Sequence, residues 1–258
     1  MKKINSFFTT YEKIWFVSVL ALAVATSLLF PEESLNGIKG SVLTGLYLLD
    51  TFLNILCELL ISKQSRWNFI VSLGVELTEI IICLLLAYRI ATMASTIFFW
   101  IPIDILSFIN WNKHLDKDDD EITAVRKLSG WSEVAVIALI VVWTLGVGAL
   151  LVKISPDSDV FESSRVERIV CYLDAFVSAV AICNGVFIWL RLEEQWIAWI
   201  IDAFLEGAIN VLCGQWSLLP LKLGYVTNSI YGWVKWNRYI KEHDTDVEIL
   251  SLRNVKKR

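Results

Sequence analysis

Carboxylates and tryptophans within apolar segments are the residues of this chain best suited to chemistry. Glu76 and Glu79 lie in one apolar run, and Asp202 and Glu206 lie in another. A charged side chain near the centre of a bilayer costs at least about 2.5 kcal/mol, so such residues usually mark a pathway for a substrate or an ion. Trp199 lies within one helical turn of Asp202. An aromatic face beside a carboxylate suits a planar cation, because the ring quadrupole and the negative charge both attract it.

Helical spacing groups further polar residues with these carboxylates. Residues three or four positions apart share one face of a helix, which places Asn68 with Glu76 and Glu79. Trp196 falls close to the face of Trp199 in the other run. The predicted substrate-binding residues are therefore two tryptophans, four carboxylates and four further polar side chains: Trp196, Trp199, Glu76, Glu79, Asp202, Glu206, Asn68, Asn210, Asn228 and Tyr231.

The elements that hold these residues are predicted to be membrane-spanning helices. The chain has 258 residues, of which 56% are hydrophobic and only 19% are charged, and its mean hydropathy is +0.58. A spanning helix needs about 20 apolar residues. Such runs occur at 14–30, 41–62, 68–88, 92–110, 131–152, 169–190, 196–214 and 217–234. The sequence therefore predicts an all-α, polytopic membrane protein with about eight transmembrane helices.

The distribution of basic residues predicts the orientation of the chain. We place the N-terminus in the cytoplasm and let the chain cross eight times. Most of the 23 Lys and Arg residues then lie inside, whereas Lys39, Arg89, Lys153, Arg165 and Arg168 lie outside and Lys222 falls within the last span. Cytoplasmic loops carry such an excess. We therefore expect a multi-pass protein of the plasma (inner) membrane with both termini in the cytoplasm.

The sequence lacks the patterns of the common catalytic and metal sites. The two histidines, His114 and His243, lie outside the apolar runs. No Ser-His-Asp set and no glycine-rich phosphate loop occurs, and the five cysteines have no spacing typical of metal ligands. We therefore predict that the protein is not an enzyme and uses no catalytic residue, metal or cofactor.

A repeated motif predicts an internal duplication. Trp111-Asn112-Lys113 ends one apolar run, and Trp236-Asn237-Arg238 ends another. Trp67 and Trp196 each begin the run before. Three helices reverse the direction of the chain, so two parallel three-helix units need one further helix between them. Residues 131–152 supply this linker, in which Gly146 and Gly148 would allow close packing.

This plan divides the chain into five segments. The sequence predicts an N-terminal helix at 1–38, a first three-helix repeat at 39–112, and a cytoplasmic loop, linker helix and external loop at 113–168. A second three-helix repeat follows at 169–238, and a cytoplasmic tail at 239–258.

Several of these features resemble the PnuC family of vitamin-precursor transporters. They are Gln195-Trp196-Ile197-Ala198-Trp199-Ile200, the Gly232-Trp233-x-x-Trp236 closure, and the 3+1+3 plan, which SWEET-type sugar carriers share. Asp174 also stands at a family-like spacing before Trp196. The resemblance, over roughly residues 40–238, implies facilitated diffusion of an unphosphorylated vitamin precursor through a site between the repeats. It further implies a tryptophan pair near the substrate ring, trapping by cytoplasmic phosphorylation, and a homotrimer.

The resemblance leaves the substrate open. Members carry nicotinamide riboside, thiamine, riboflavin or deoxynucleosides. Ser72 and Ala203 stand where the family commonly has asparagines, and carboxylates lie close to both. Carboxylates suit the ring cation of nicotinamide riboside or thiamine and disfavour neutral riboflavin. We predict a carrier of nicotinamide riboside or a similar precursor, with a thiamine or deoxynucleoside carrier as an alternative.

Two further interpretations stay open at this point. The carboxylates could relay protons in a proton-coupled carrier. The polar faces could also only hold helices together, in a membrane protein that transports nothing. The expected partners are a small-molecule substrate, the lipid bilayer and further copies of the chain, and no nucleic acid.

Overall fold

The computed structural model describes residues 7–30, 38–86, 93, 95–116, 122–128, 130–154, 164–212 and 219–243. Within this part of the chain there are eight α-helices: α1 (Thr10–Leu29), α2 (Gly40–Ser62), α3 (Asn68–Leu86), α4 (Ile101–Asn112), α5 (Gly130–Ile154), α6 (Ser164–Leu190), α7 (Glu194–Leu212) and α8 (Leu219–His243). The described residues form no β-strand, and isolated bridges join Leu115 to Thr123 and Arg126 to Leu192. The predicted all-α fold is therefore confirmed.

The helices fall into two compact units. The first, Met1–Ala124, contains α1 to α4, and the second, Val125–Arg258, contains α5 to α8. In the first unit α1 packs on α2, α2 on α3 and α3 on α4. In the second unit α5 packs on α6, α6 on α7 and α7 on α8. Within each unit, every helix therefore packs on the helix that follows it in the chain.

Four of the described helices are long and apolar enough to cross a membrane. By length and composition these segments are Thr10–Leu29, Gly40–Ser62, Gly130–Lys153 and Arg168–Leu190. The segment in α5 leaves most of its apolar side chains uncovered by the protein, among them Val142 and Leu145. Such a surface is stable in hydrocarbon and unfavourable in water.

The first helix is tied to the second by a buried acidic residue. A capping box starts α1, because Thr9 Oγ1 accepts from the Glu12 N–H at 3.2 Å and Glu12 Oε2 accepts from the Thr9 N–H at 2.8 Å. The same Glu12 oxygen lies 3.2 Å from Lys63 Nζ, just after the end of α2. This ion pair fixes the start of α1 against the end of α2.

Helices α2 and α6 end in the same kind of turn. Gln64 and Arg191 have φ values of 59° and 64°, in the left-handed region. The backbone N–H of each left-handed residue donates to the carbonyl three residues earlier in the chain. The N–H of the following residue, Ser65 or Leu192, donates to the carbonyl five residues earlier. These bonds form a Schellman motif. A left-handed residue other than glycine costs on the order of 1 kcal/mol, so its presence at both places shows that the surroundings impose it.

The segment 122–128 supplies backbone partners for both turns. In the first unit the Thr123 N–H donates to the Gln64 carbonyl at 2.9 Å. In the second unit the Arg126 N–H donates to the Arg191 carbonyl at 3.0 Å, and the Glu193 N–H donates to the Arg126 carbonyl at 2.9 Å. These bonds satisfy polar groups at the helix ends that a buried turn would otherwise leave unpaired.

Helix α4 is entered through a short π-helical segment. Thr96–Trp100 has π-helical hydrogen bonding and leads directly into α4 at Ile101, with Pro102 in its first turn. Single turns of π-helix often occur at functional sites, because the wider turn redirects side chains. Here the segment begins at Thr96, which is fully buried.

One of the two glycines predicted to allow close packing does so. A Cβ added at Gly148 would lie 2.3 Å from Tyr172 Cδ1, so α5 approaches α6 too closely for any other residue at this position. At Gly146 no atom of the described residues lies within 4 Å of the added Cβ, and the prediction is wrong there. Helix α8 continues to His243 with Tyr239 and Ile240 buried, so the predicted tail boundary at residue 239 falls inside it.

Candidate substrate-binding site

Polar side chains connect α2 and α3 around Asp50. Thr78 Oγ1 donates a hydrogen bond to Asp50 Oδ1 at 2.7 Å, and Asn54 Nδ2 donates to Asp50 Oδ2 at 3.0 Å. Thr78 lies on α3 between Glu76 and Glu79, two of the predicted site residues. The Asp50 carboxylate therefore fixes this part of α3 against α2.

Glu76 and Asp104 are buried carboxyl groups of the same unit that interact electrostatically. Each side chain is 6% exposed. One oxygen of each, Glu76 Oε2 and Asp104 Oδ2, has no hydrogen-bond partner among the described residues. Ser72, one turn before Glu76, hydrogen-bonds to Asp104. Because α2, α3 and α4 contain no Lys, Arg or His, two negative charges here would be costly without a proton or a cation.

Glu79 contacts the π-helical segment. Its Oε2 accepts a hydrogen bond of 2.7 Å from Thr96 Oγ1. Glu79 and Glu76 lie on neighbouring turns of α3, so the predicted acidic face exists. Thr96 is a contact that the sequence did not indicate, because a threonine in an apolar run carries no signal of its partner.

Asn68 is the first residue of α3, about two turns before Glu76. Its Nδ2 donates to the Ser65 carbonyl at 2.7 Å, and its own carbonyl accepts from the Cys57 thiol at 3.5 Å. The side chain is buried. These contacts give Asn68 a role in holding the turn between α2 and α3.

In the second unit, Trp196 belongs to the protein core. Its side chain is fully buried and meets Trp236 edge to face, with ring centroids 5.5 Å apart. A Cβ added at Gly232 would lie 2.5 Å from Trp196 Cζ2, so α8 approaches the indole closely. With its ring enclosed by these residues, Trp196 has little surface left for a ligand.

Trp199, one turn further along α7, is half-buried and is held by Asn184 of α6. The Trp199 Nε1–H donates to Asn184 Oδ1 at 3.2 Å, and Asn184 Nδ2 donates to the Gln195 carbonyl at 3.2 Å. This amide orientation follows from its neighbours, because an indole N–H can only donate and a carbonyl can only accept. Asn184 was not among the predicted site residues.

Asp202 and Glu206 continue the same helix. Asp202 is buried, and its Oδ1 has no hydrogen-bond partner among the described residues. Glu206 forms an ion pair with Lys222 of α8, and Lys222 Nζ lies 5.4 Å from the centre of the Tyr225 ring. Both Glu206 and Lys222 interact electrostatically with Asp202. The carboxyl groups of the second unit therefore have a nearby cation, Lys222. Helices α2 to α4 of the first unit contain no basic residue.

The remaining predicted residues fall on α7 and α8. Asn228 is fully buried, and Tyr231 is half-buried with Lys235 Nζ 5.7 Å from its ring centre. Asn210 belongs to α7, but its side chain lies outside the described residues. Among the described residues no group of three His, Cys, Asp or Glu side chains could hold a metal ion.

The first turn of α7 is anchored to the segment 122–128. Glu193 Oε1 lies 3.1 Å from Lys127 Nζ, and Glu194 Oε1 accepts from the Leu128 N–H at 3.0 Å. Glu194 precedes the apolar run 196–214, and burial raises the pKa of its carboxyl to about 7. Burial and the nearby Arg126 lower the pKa of Arg191 to about 10, so this guanidinium stays protonated at neutral pH.

The chain is similar to two transporters of known identity. It is 26% identical to the nicotinamide riboside transporter PnuC of Neisseria mucosa, over 91% of this chain and 84% of that protein. It is 22% identical to the nicotinamide riboside transporter PnuC of Haemophilus influenzae, over 90% of this chain and 91% of that protein. A family model described as nicotinamide mononucleotide transporter matches residues 44–238. The chain belongs to the PnuC family of membrane transporters.

The fold agrees with this membership. The crystal structure of the vitamin B3 transporter PnuC superposes with a TM-score of 0.68, at 20% sequence identity, over 92% of this chain and 94% of that one. The protein is thus a multi-pass membrane transporter rather than an enzyme, as the sequence predicted.

Ser72 and Ala203, the two positions at which the resemblance implied asparagines, differ in their surroundings. Ser72 hydrogen-bonds to Asp104, whereas Ala203 is buried and apolar. In both cases a carboxyl group lies on the same helix within one turn: Glu76 after Ser72, and Asp202 before Ala203.

Proposed function

We propose that this protein carries nicotinamide riboside across the plasma membrane. The observation that carries the proposal is the pairing of Trp199 with Asp202 on α7. Trp199 is half-buried and held at its indole nitrogen, and Asp202 presents a buried oxygen without a partner among the described residues one turn away. A planar aromatic cation is attracted by both groups. The pyridinium ring of nicotinamide riboside is such a cation, and the two relatives above are named for this substrate.

The acidic side chains favour the riboside over its phosphorylated form. Asp202 and Glu206 have one nearby cation, Lys222, and the buried carboxyl groups Glu76 and Asp104 belong to helices without any. A phosphate group adds about 1.5 to 2 negative charges at neutral pH. Asp202 and Glu206 are two carboxyl groups beside one cation, so their repulsion of a phosphate disfavours nicotinamide mononucleotide, although the family model carries that name.

The proposed roles follow the positions of the side chains. Trp199 stacks on the ring, Asp202 attracts the cation, and Glu206 helps to orient polar groups of the substrate. Glu76 and Glu79 remain candidate substrate-binding residues of the first unit. Trp196 supports α7 from the core. Asn68, Asn210, Asn228 and Tyr231 remain candidate hydrogen-bonding residues.

The mode of transport belongs to the same proposal. We expect facilitated diffusion, followed by trapping of the riboside through cytoplasmic phosphorylation, in a homotrimer with cytoplasmic termini. The excess of Lys and Arg on one side supports this orientation. The trimer and the trapping step rest on the resemblance to the family.

A binding screen with the purified protein tests the substrate. Nicotinamide riboside, nicotinamide mononucleotide, thiamine, riboflavin and a deoxynucleoside are each added at equal concentration, and thermal unfolding is measured. A ligand at 100 times its Kd stabilises the folded state by about 2.7 kcal/mol. We expect the largest shift with nicotinamide riboside. A larger shift with another compound would replace it as the substrate.

A proton-coupled carrier is the second candidate, favoured by the burial of Glu76 and Asp104 without a basic residue on α2 to α4. Uptake into liposomes with and without an imposed pH gradient separates the two modes. Facilitated diffusion predicts equal initial rates and no accumulation above the external concentration. Accumulation driven by the gradient, and lost in Glu76→Gln, would establish coupling.

A further inference from the structure

Asn184 connects two helices of the second unit at the residue proposed to stack on the substrate. It is 1% exposed and lies on α6. Its Nδ2 reaches the Gln195 carbonyl at 3.2 Å, and its Oδ1 accepts the Trp199 Nε1–H at 3.2 Å. Both functional groups of this amide are therefore used, one for the backbone of α7 and one for an indole.

The first unit has a matching bridge of different chemistry. Cys57 of α2 donates to the Asn68 carbonyl at 3.5 Å and also hydrogen-bonds with Ser72. Cys57 precedes Asn68 by 11 residues, and Asn184 precedes Gln195 by 11 residues. Ser72 follows Asn68 by four residues, and Trp199 follows Gln195 by four residues. In each unit a side chain of one helix (α2 or α6) thus bonds to a backbone carbonyl at the start of the next helix (α3 or α7). The second unit extends the bridge to an aromatic ring.

A hydrogen bond to its nitrogen restricts the orientation of an indole. The χ2 torsion sets the plane of a tryptophan ring, and its distribution is broad and roughly two-fold. The backbone alone therefore does not fix the orientation of the ring. Asn184 selects the orientation that brings Nε1 to its oxygen. A ring that is already oriented loses less conformational freedom when a ligand stacks on it.

We propose that Asn184 is a positioning residue that sets the plane of Trp199 for stacking on the substrate ring. The inference rests on the proposed function, because it assigns Trp199 to the substrate. Asn184 acts through Trp199 and need not touch the substrate. Its effect therefore depends on the indole N–H.

The first experiment observes this N–H directly in the purified full-length protein. The indole ¹H–¹⁵N resonance of Trp199 is identified by its absence in Trp199→Phe. Asn184→Cys places the residue of the first unit at this position, so that a thiol can still donate to the Gln195 carbonyl while the indole loses its acceptor. We expect the Trp199 resonance to shift in Asn184→Cys and to stay unchanged in the matched control Cys57→Ala. An unshifted resonance in Asn184→Cys would overturn the proposal.

The second experiment measures transport as a coupling between two substitutions. Loss of one neutral hydrogen bond that orders the ring should raise the KM for nicotinamide riboside about five-fold in Asn184→Leu, with kcat nearly unchanged. In the Trp199→Phe background, which lacks the N–H, the same substitution should change KM little. Equal effects in both backgrounds would contradict the proposal. Asn184→Cys serves in both backgrounds if Asn184→Leu does not fold.

These outcomes separate the inference from the proposed function. If the wild-type protein does not carry nicotinamide riboside, the proposed function fails. The resonance experiment then still decides whether Asn184 orients Trp199, and the coupling is measured with the compound that gives the largest shift in the binding screen.

Discussion

Trp196 lies edge to face against Trp236, with ring centroids 5.5 Å apart and planes at 88°. Phe69 and Trp111 make the same contact in the first unit, with centroids 5.0 Å apart and planes at 86°. The tryptophan of each Trp-Asn-basic motif is therefore a buried aromatic partner for the first turn of α3 in the first unit and of α7 in the second. Its tryptophan is a packing residue, and the residue that matches Trp196 is Phe69 rather than the exposed Trp67.

Gly232→Ala is expected to destabilise the fold. The added Cβ would lie 2.5 Å from the Trp196 ring, in a contact between two helices. Overpacking of this kind costs about 1 to 3 kcal/mol. Thermal unfolding of the purified protein in detergent measures the loss as a lower Tm.

Gly146→Ala is the matched control for Gly232→Ala, because its added Cβ meets no atom within 4 Å in the part of the chain that the structure describes. It should leave the Tm unchanged or raise it, since alanine favours a helix over glycine by about 1 kcal/mol. Trp196→Phe, which introduces the residue of the first unit, should restore part of the stability of Gly232→Ala. Equal losses at Gly232 and Gly146 would contradict the packing described above.

The ion pair between Lys222 and Glu206 predicts a rescue. Lys222→Met or Glu206→Gln alone leaves one charge without its partner. We expect a loss of about 1 to 3 kcal/mol for either, between the values for surface and buried pairs, because both side chains are partly exposed. The double variant should lose less than the sum of the two single variants. Additive losses in Tm would show that the pair contributes nothing to stability.

Glu194→Gln is expected to change how stability depends on pH. Burial raises the pKa of Glu194 to about 7, above its ordinary value of about 4.3, so the folded state holds this proton more tightly than the unfolded chain. The contribution of Glu194 to the stability of the wild type therefore falls as the pH rises from about 4 to about 7, and it levels off above that.

Glutamine keeps the oxygen that accepts from the Leu128 N–H and removes the titration. The Tm of Glu194→Gln relative to the wild type should therefore rise across this pH range and then stay level. A difference that is constant from pH 4 to pH 8 would contradict the assignment.

The helices and the acidic faces could be predicted because they depend on local pattern. Runs of apolar residues located the eight helices in the described part of the chain, and the spacing of Glu76 and Glu79 placed them on neighbouring turns of α3. The approach of Gly148 to Tyr172 followed from glycine in an apolar helix, but the same argument failed at Gly146. Local pattern does not show which side of a helix meets a neighbour.

Contacts between helices were the part that the sequence did not provide. Asn184 is one polar residue in an apolar run, and its two partners lie on the next helix. Lys222 was visible as a cation within a span, but its pairing with Glu206 depends on how α8 packs on α7. The match between Phe69 and Trp196 required the contacts of both rings, because sequence comparison favours identical residues such as Trp67.

The initial rate of uptake of labelled nicotinamide riboside into liposomes tests the central claim most directly. The wild-type protein, inserted without a pH gradient or membrane potential, should carry the riboside at a rate that saturates with its concentration. Trp199→Ala should reduce kcat/KM at least ten-fold, whereas Trp67→Ala, at the exposed position, should leave it unchanged. No uptake by the wild type, or equal uptake by Trp199→Ala, would contradict the account.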